Sequence, residues 1–269
     1  MAGVQARSAD GTIIACEVLG EGPPLLAIHG TTADRRRWAP VREQLAEDFR
    51  LHLMDRRGRG LSSEEAGPYE LAREAEDIRA VVDAIGEPVL VLSHSYGGLC
   101  SLEAAVGCDG IERMLVYEPA FETDAMPLWP PGALAAVEEA LARDDRDAAL
   151  SIFFREALGA SDADLAAMRA TPAWNARIEV AHTLHREGEA AGAYRIDPER
   201  IKGIRVPVRF LLGTVTAEPL TYSAHAAHAA VPGSELKELP GHGHSAMDVD
   251  PELFVAEVND WLGPRARAA

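Results

Sequence analysis

A serine flanked by small residues, at the point where an apolar run gives way to a helical pattern, has the setting of a nucleophile, and Ser95 stands at such a point. Val89-Leu90-Val91-Leu92-Ser93-His94-Ser95-Tyr96-Gly97-Gly98 reads as a buried strand turning directly into a helix. Such a turn strains its central residue and lifts the hydroxyl clear of the sheet toward the helix N-terminus, so the positions two residues away must be small. Gly97 fills the later one; Ser93 fills the earlier one, where glycine is usual, and its short side chain is tolerable there. The alternative is an ordinary strand-to-helix turn that happens to contain serine. A hydroxyl is inert without a base. Leu239-Pro240-Gly241-His242-Gly243-His244-Ser245 offers His242 and His244 on a loop between the last strand and the last helix, which opens onto the same sheet edge. Acyl transfer also needs donors for an oxyanion. The backbone N–H groups of Tyr96, just after the serine, and of Thr31, on the loop after the third strand, are the candidates, with Thr32 as the less favoured donor. Gly30 lets that loop come close. His182 and His185 read as helix-surface or core residues.

These groups need a scaffold that delivers them to one edge. Asp10-Gly11 is a strong turn pair ahead of a strand over Thr12 to Leu19. Short apolar runs follow at Pro24 to Ile28, Leu51 to Met54 and Pro88 to Leu92, a strand at Ile111 to Tyr117, and strand character returns at Val206 to Leu212 and around Glu235 to Leu239. Between them lie helical patterns: one through Val41 to Leu45, one over Glu70 to Ile85 with Gly86 where a C-cap belongs, and one over Tyr96 to Val106. A final helix begins at Asp250-Pro251 and runs to Trp261. This alternation predicts an α/β fold with a mostly parallel central sheet covered by helices on both faces. Residues 121–194 carry helix-like segments and no convincing strand, so they read as a helical lid inserted into a core of residues 1–120 and 195–269.

The bulk composition narrows the function. At 269 residues, 47% hydrophobic and 26% charged, the chain has ordinary globular usage and length enough for a large core. A formal net charge of -17 repels phosphate backbones and anionic membranes, so nucleic acid and membrane are not expected partners. Arg35, Arg36, Arg37, Arg56, Arg57 and Arg59 are the nearest thing to a basic patch, and they read as solvated or salt-bridging. Cys16, Cys100 and Cys108 have no metal or disulfide spacing. The first ten residues lack an apolar signal region and no run of about 18 apolar residues occurs. A reducing cytoplasm is the expected location, a small-molecule substrate the expected partner, and a homodimer the candidate assembly.

Taken together, His29-Gly30, Asp55-Arg56-Arg57-Gly58-Arg59-Gly60-Leu61-Ser62, Ser93 to Gly98 and the His244 loop resemble the α/β-hydrolase superfamily across nearly the whole chain. The resemblance implies that His244, in a G-x-G-H pattern, is the base, with His242 at a variable position, and that Asp55 to Ser62 is a structural turn. It also implies an acid in a G-x-x-D turn after the strand that follows the insertion, and there this chain departs. Gly213-Thr214-Val215-Thr216 puts a threonine at that place, which cannot hold the charge that stabilises an imidazolium. Glu118, ending the strand Met114 to Tyr117, is the expected substitute, since certain haloalkane dehalogenases and the zearalenone lactonases carry a glutamate there. Glu218 competes, whereas Asp248 and Asp250 lie too near His244 in sequence. Serine at the elbow disfavours alkyl-ester routes on a carboxylate and leaves acyl transfer. The expected activity is hydrolysis of a carboxylic ester or lactone of a small to medium apolar substrate through an acyl-enzyme, with no metal or organic cofactor. Trp129, Phe153, Phe154 and Trp174 would line the pocket, or else form the lid's own core. Ligand receptors and lyase-type tailoring enzymes on the same fold are the alternative readings.

Overall fold

Asp10 and Gly11 reverse the chain: the Asp10 carboxylate accepts from the Thr12 N–H at 2.9 Å, and Gly11 takes φ 93°, which a side chain would resist. The turn pairs β1 (Gly3–Arg7) antiparallel with β2 (Ile13–Leu19). The computed structural model of the chain describes residues 3–64 and 67–263. The outer ends of the expected core, 1–2 and 264–269, lie outside the described residues. Next come β3 (Pro24–Ile28), α1 (Arg42–Asp48), β4 (Arg50–Asp55) and α2 (Leu71–Ile85), which stops at Gly86 in the left-handed conformation. Then β5 (Val89–His94) runs into α3 (Tyr96–Ala105), succeeded by β6 (Ile111–Tyr117).

From residue 121 to 194 the chain contains helices and no strand: α4 (Ala133–Ala142), α5 (Arg146–Ile152), a π-helical turn over Phe153–Ala157, α6 (Asp162–Arg169), α7 (Pro172–Val180) and α8 (Leu184–Ala193). The short α9 (Pro198–Ile201) leads to β7 (Val208–Gly213), α10 (Glu218–Ala230), β8 (Glu235–Leu239), α11 (Ala246–Val249) and α12 (Pro251–Leu262), which Asp250 caps through the Leu253 N–H.

The sheet has eight strands in the order β1-β2-β4-β3-β5-β6-β7-β8, antiparallel at β1-β2-β4 and parallel from β4 to β8. Because successive side chains point to opposite faces, each buried strand feeds two cores. Leu26, Ile28 and Val91 join Ile78, Val81, Leu99 and Leu102 on one side, while Leu25, Ala27 and Leu92 join Trp38, Phe49, Phe254 and Trp261 on the other. The strand order reverses at β3: the chain leaves it to build β4 on one flank and returns to place β5 on the other. Loops diverge at such a switch point and leave a crevice at the carboxyl ends of the strands. Ser95 comes directly after β5 at that crevice. No helix among the described residues is long and apolar enough to cross a membrane.

Candidate active site

Ser95 holds φ 57° and ψ -129°, a conformation that costs a non-glycine residue about 1–3 kcal/mol and persists only where its surroundings enforce it. They do so here. The Ser95 N–H donates to the Tyr117 carbonyl at 2.9 Å, and the Ser95 carbonyl accepts from the N–H groups of Gly98 (2.7 Å) and Ala120 (3.3 Å). A methyl group added at Gly97 would stand 2.3 Å from the His29 carbonyl oxygen, and one at Gly30 would stand 2.7 Å from Ser95 Cβ. Ser93 is buried where glycine is usual, and its hydroxyl has a partner in Ser101 Oγ at 2.8 Å, which itself donates to the Gly98 carbonyl. Thr31, Ser95 and Tyr96 share the wall of one small cavity of about 30 Å³. Tyr96 opens α3, so its N–H has no acceptor within the helix.

His244 Nδ1 lies 2.5 Å from Glu118 Oε2. The other carboxylate oxygen accepts from the Gly213 N–H at 2.7 Å and from the Thr216 hydroxyl at 2.5 Å. Thr216 therefore stands beside the Glu118 carboxylate as a hydrogen-bond donor. Glu118 is fully buried and takes φ 47°, turning back from the end of β6 toward β7. With Nδ1–H donating to a carboxylate, a neutral His244 ring keeps its lone pair on Nε2. The competing groups are elsewhere. Glu218 is exposed at the start of α10, Asp248 pairs with Arg37 at 2.8 Å, and Asp250 caps α12. His242 Nδ1–H donates to the Pro240 carbonyl at 2.9 Å, and its Nε2 lies 3.7 Å from Asp250.

Two residues that hold the histidine loop had no signal in the sequence. The Tyr117 hydroxyl donates to the Gly243 carbonyl and accepts from the Ala246 N–H at 3.1 Å, bridging the loop on either side of His244. In sequence it is one more apolar position of β6. His94 Nε2–H donates to the His244 carbonyl at 3.0 Å, with the two rings 4.4 Å apart. Burial, and then the charge that His244 can carry, hold His94 well below the usual histidine range, so it stays neutral. His29 is also held neutral, by burial and by the charges of Arg59 and Arg56. Its Nδ1–H donates to the Gly30 carbonyl and its Nε2 accepts from the Arg56 N–H, which fixes the loop that carries Thr31.

The four aromatic residues part company. Trp129 and Phe153 line the Ser95 cavity with Leu128, Leu158 and Leu220. Phe154 lines a second, larger cavity of about 630 Å³. Trp174 packs with Leu150, Phe154 and Leu165 inside the helical segment, its indole N–H donating to Asp147 at 2.8 Å, and it lines neither cavity. Helical spacing alone does not tell an inward face from one turned to a ligand. Of the two roles expected for the arginines, salt bridging is the one seen for Arg56, Arg57 and Arg59, which are buried in ion pairs and not solvated. Arg56 pairs with Glu74 (2.6 Å) and Glu187 (3.1 Å), Arg59 with Glu187, and Arg57 with Asp77 (2.7 Å) and Asp10 (2.9 Å). Burial pushes the Glu187 carboxyl up, but the charges of Arg56 and Arg59 outweigh it and hold the group at about 2. Because Glu187 comes from α8, these pairs clamp the helical segment to the core. Arg56 also lies over the Tyr96 ring at 4.8 Å.

Comparison with known proteins agrees with this architecture. The model of the alpha/beta hydrolase family matches residues 25–257. The crystal structure of an alpha/beta hydrolase from Sphaerobacter thermophilus superposes with a TM-score of 0.82 at 31% identity, covering 94% of this chain and 98% of that one. An esterase from a Rhodococcus species superposes with a TM-score of 0.77 at 27% identity, covering 97% and 98%. In sequence, a pimeloyl-[acyl-carrier protein] methyl ester esterase of Xanthomonas axonopodis pv. citri is 27% identical over 85% of this chain and 90% of its own. With the family model spanning nearly all of the strands and helices that build the crevice, this chain belongs to the alpha/beta hydrolase family.

Proposed function

We propose that the protein is a serine hydrolase of carboxylic esters or lactones, with Ser95 as nucleophile, His244 as base and Glu118 as the acid that orients it. The observation that carries the reading is the 2.5 Å contact between His244 Nδ1 and Glu118 Oε2, on a loop whose His244 carbonyl is hydrogen-bonded to His94, the residue before the strained Ser95. His244 Nε2 takes the Ser95 proton as Oγ attacks the substrate carbonyl carbon. Negative charge then develops on the carbonyl oxygen, where the N–H groups of Thr31 and Tyr96 stabilise it. Collapse of the tetrahedral intermediate expels the alcohol, which takes its proton from His244. Water, deprotonated by the same imidazole, then frees the acid and restores Ser95. Glu118 keeps its charge throughout and stabilises the imidazolium.

In this reading residues 121–194 are the lid and Trp129 and Phe153 hold an apolar part of the ester, which in a cavity of about 30 Å³ must be small or must displace the lid. Similarity to esterases supports the same chemistry. The test is a burst experiment with p-nitrophenyl acetate and butyrate on the native protein and on Ser95→Ala, following nitrophenolate release and protein mass. A Ser95-dependent acyl adduct that turns over is the expected result. Absence of an adduct with both esters would overturn the proposal and favour a receptor or a non-hydrolytic enzyme.

A further inference from the structure

The larger cavity, of about 630 Å³, lies between the start of the helical segment's α7 and the two loops that carry Thr31 and His244. Its wall includes Thr32 and Ser245, each the next residue along from one of those groups and therefore about 3.8 Å from it at Cα. Much of the lining is apolar, and of its charged side chains Asp164 and Arg177 have no oppositely charged partner within ion-pair distance among the described residues. Arg36 pairs with Asp34 (2.5 Å) and Glu179 (2.6 Å), Arg37 pairs with Asp248 (2.8 Å), and Asp164 accepts from Ser161 in the cap of α6. Arg177 has no carboxylate within ion-pair distance among the described residues.

The Arg177 side chain is nonetheless fixed. One terminal nitrogen, Nη1, donates to the Thr32 carbonyl (3.3 Å) and hydroxyl (3.1 Å), and the guanidinium lies 5.0 Å from the Phe154 ring centroid. Nε and Nη2 have no protein acceptor among the described residues, and guanidinium presents such donors as a planar fork that fits a carboxylate. Burial, and then the nearby charge of Arg37, bring the Arg177 pKa down to about 10 against the opposing charge of Asp248, so the group remains a cation at neutral pH. Seated there, an anion would lie beside the oxyanion loop without entering the small cavity around Ser95.

We infer that the 630 Å³ cavity is a subsite for a carboxylate carried by the substrate and that Arg177 recognises it, so that the preferred substrates are acidic esters such as half-esters of dicarboxylic acids. This rests on the ester-hydrolase reading for its catalytic consequence and on Arg177 alone for binding. Two measurements separate them. The first compares kcat/KM for mono-p-nitrophenyl glutarate and for the neutral p-nitrophenyl valerate in native protein, Arg177→Met and Arg177→Lys. Native protein should favour the acidic ester about tenfold or more, as for a hydrogen bond to a charged group; the ratio should collapse toward unity in Arg177→Met and be partly kept by Arg177→Lys. The second measures calorimetric binding of monomethyl glutarate to Ser95→Ala, which should weaken about tenfold when Arg177→Met is added. An acid-to-neutral ratio unchanged by Arg177→Met, or half-ester binding indifferent to it, overturns the subsite. Arg177-dependent binding with no turnover of either ester would keep the subsite and sink the hydrolase reading.

Discussion

In the proposed site, the arrangement around Glu118 accounts for a threonine where the family resemblance leads one to expect an acid. Gly213 N–H and Thr216 Oγ1 both donate to Glu118 Oε1, while His244 Nδ1 sits on Oε2, so the carboxylate accepts bonds on both oxygens and is held in one orientation. The position of the charge relative to the imidazole is what the chemistry needs, and two adjacent strand ends can supply it equally well. Glu118→Gln tests the point with almost no change of shape. Its amide oxygen would keep the bonds from Gly213 and Thr216, leaving an NH₂ facing Nδ1, which would then have to act as acceptor. The proton would move to Nε2, where it blocks proton transfer from Ser95. We expect kcat to fall on the order of 10³- to 10⁴-fold with the melting temperature little altered. Activity within tenfold of native would assign the acid elsewhere.

At the scale of elements, the site depends on strands that end together. β3, β5, β6, β7 and β8 run parallel, so the loops after them all emerge on one edge, and the reversal of strand order between β3 and β5 opens the space above Ser95. β6 contributes twice: its last residue, Tyr117, ties down the histidine loop, and Glu118 comes immediately after it. Tyr117→Phe removes the bridge between the Gly243 carbonyl and the Ala246 N–H without opening a cavity. The expected result is a kcat lower by about tenfold with KM nearly constant, and a stability loss of about 1–3 kcal/mol from the unpaired buried groups. Unchanged kcat in steady-state assays would mean that His94 and Glu118 alone are enough to seat His244.

Across the whole molecule, the helical segment is joined to the core through buried charge. Glu187 on α8 reaches Arg56 and Arg59 on the loop after β4, and all three side chains are fully buried. Removing one partner of such a group leaves an uncompensated charge, which costs about 3–5 kcal/mol, more than the intact group contributes relative to an apolar packing. Glu187→Ala should therefore lower the urea midpoint strongly, since Arg59 retains only carbonyl acceptors from Ala33 and Arg57. A loss below about 1 kcal/mol in urea unfolding would show that water or Glu74 replaces the missing carboxylate.

The sequence was enough to read the strands of the core and most of its longer helices, α10 excepted, because burial on both faces writes continuous apolar runs for parallel strands and capping chemistry marks helix ends. Gly86 and Asp250 stand at the boundaries where those rules put them. It was also enough to place Ser95 at a strand-to-helix elbow, because such an elbow requires small neighbours whatever lies around it. Ser93 fits the same rule through its partner Ser101. What lay beyond the sequence were relations between distant positions. The contact between Glu118 and His244 spans 126 residues and was expected only through the family resemblance, while the bond from Thr216 to Glu118 spans 98 and no local pattern records it. The same holds for the burial of Arg56, Arg57 and Arg59, which in sequence look like any basic turn and become structural only when Glu74, Asp77 and Glu187 arrive from other helices. Trp174 and Trp129 are alike as residue types, and only tertiary packing turned one into the helical segment and the other onto the Ser95 cavity. Local backbone requirements are set by neighbours in the chain; charge pairing and cavity walls are set by neighbours in space, and these the fold alone decides.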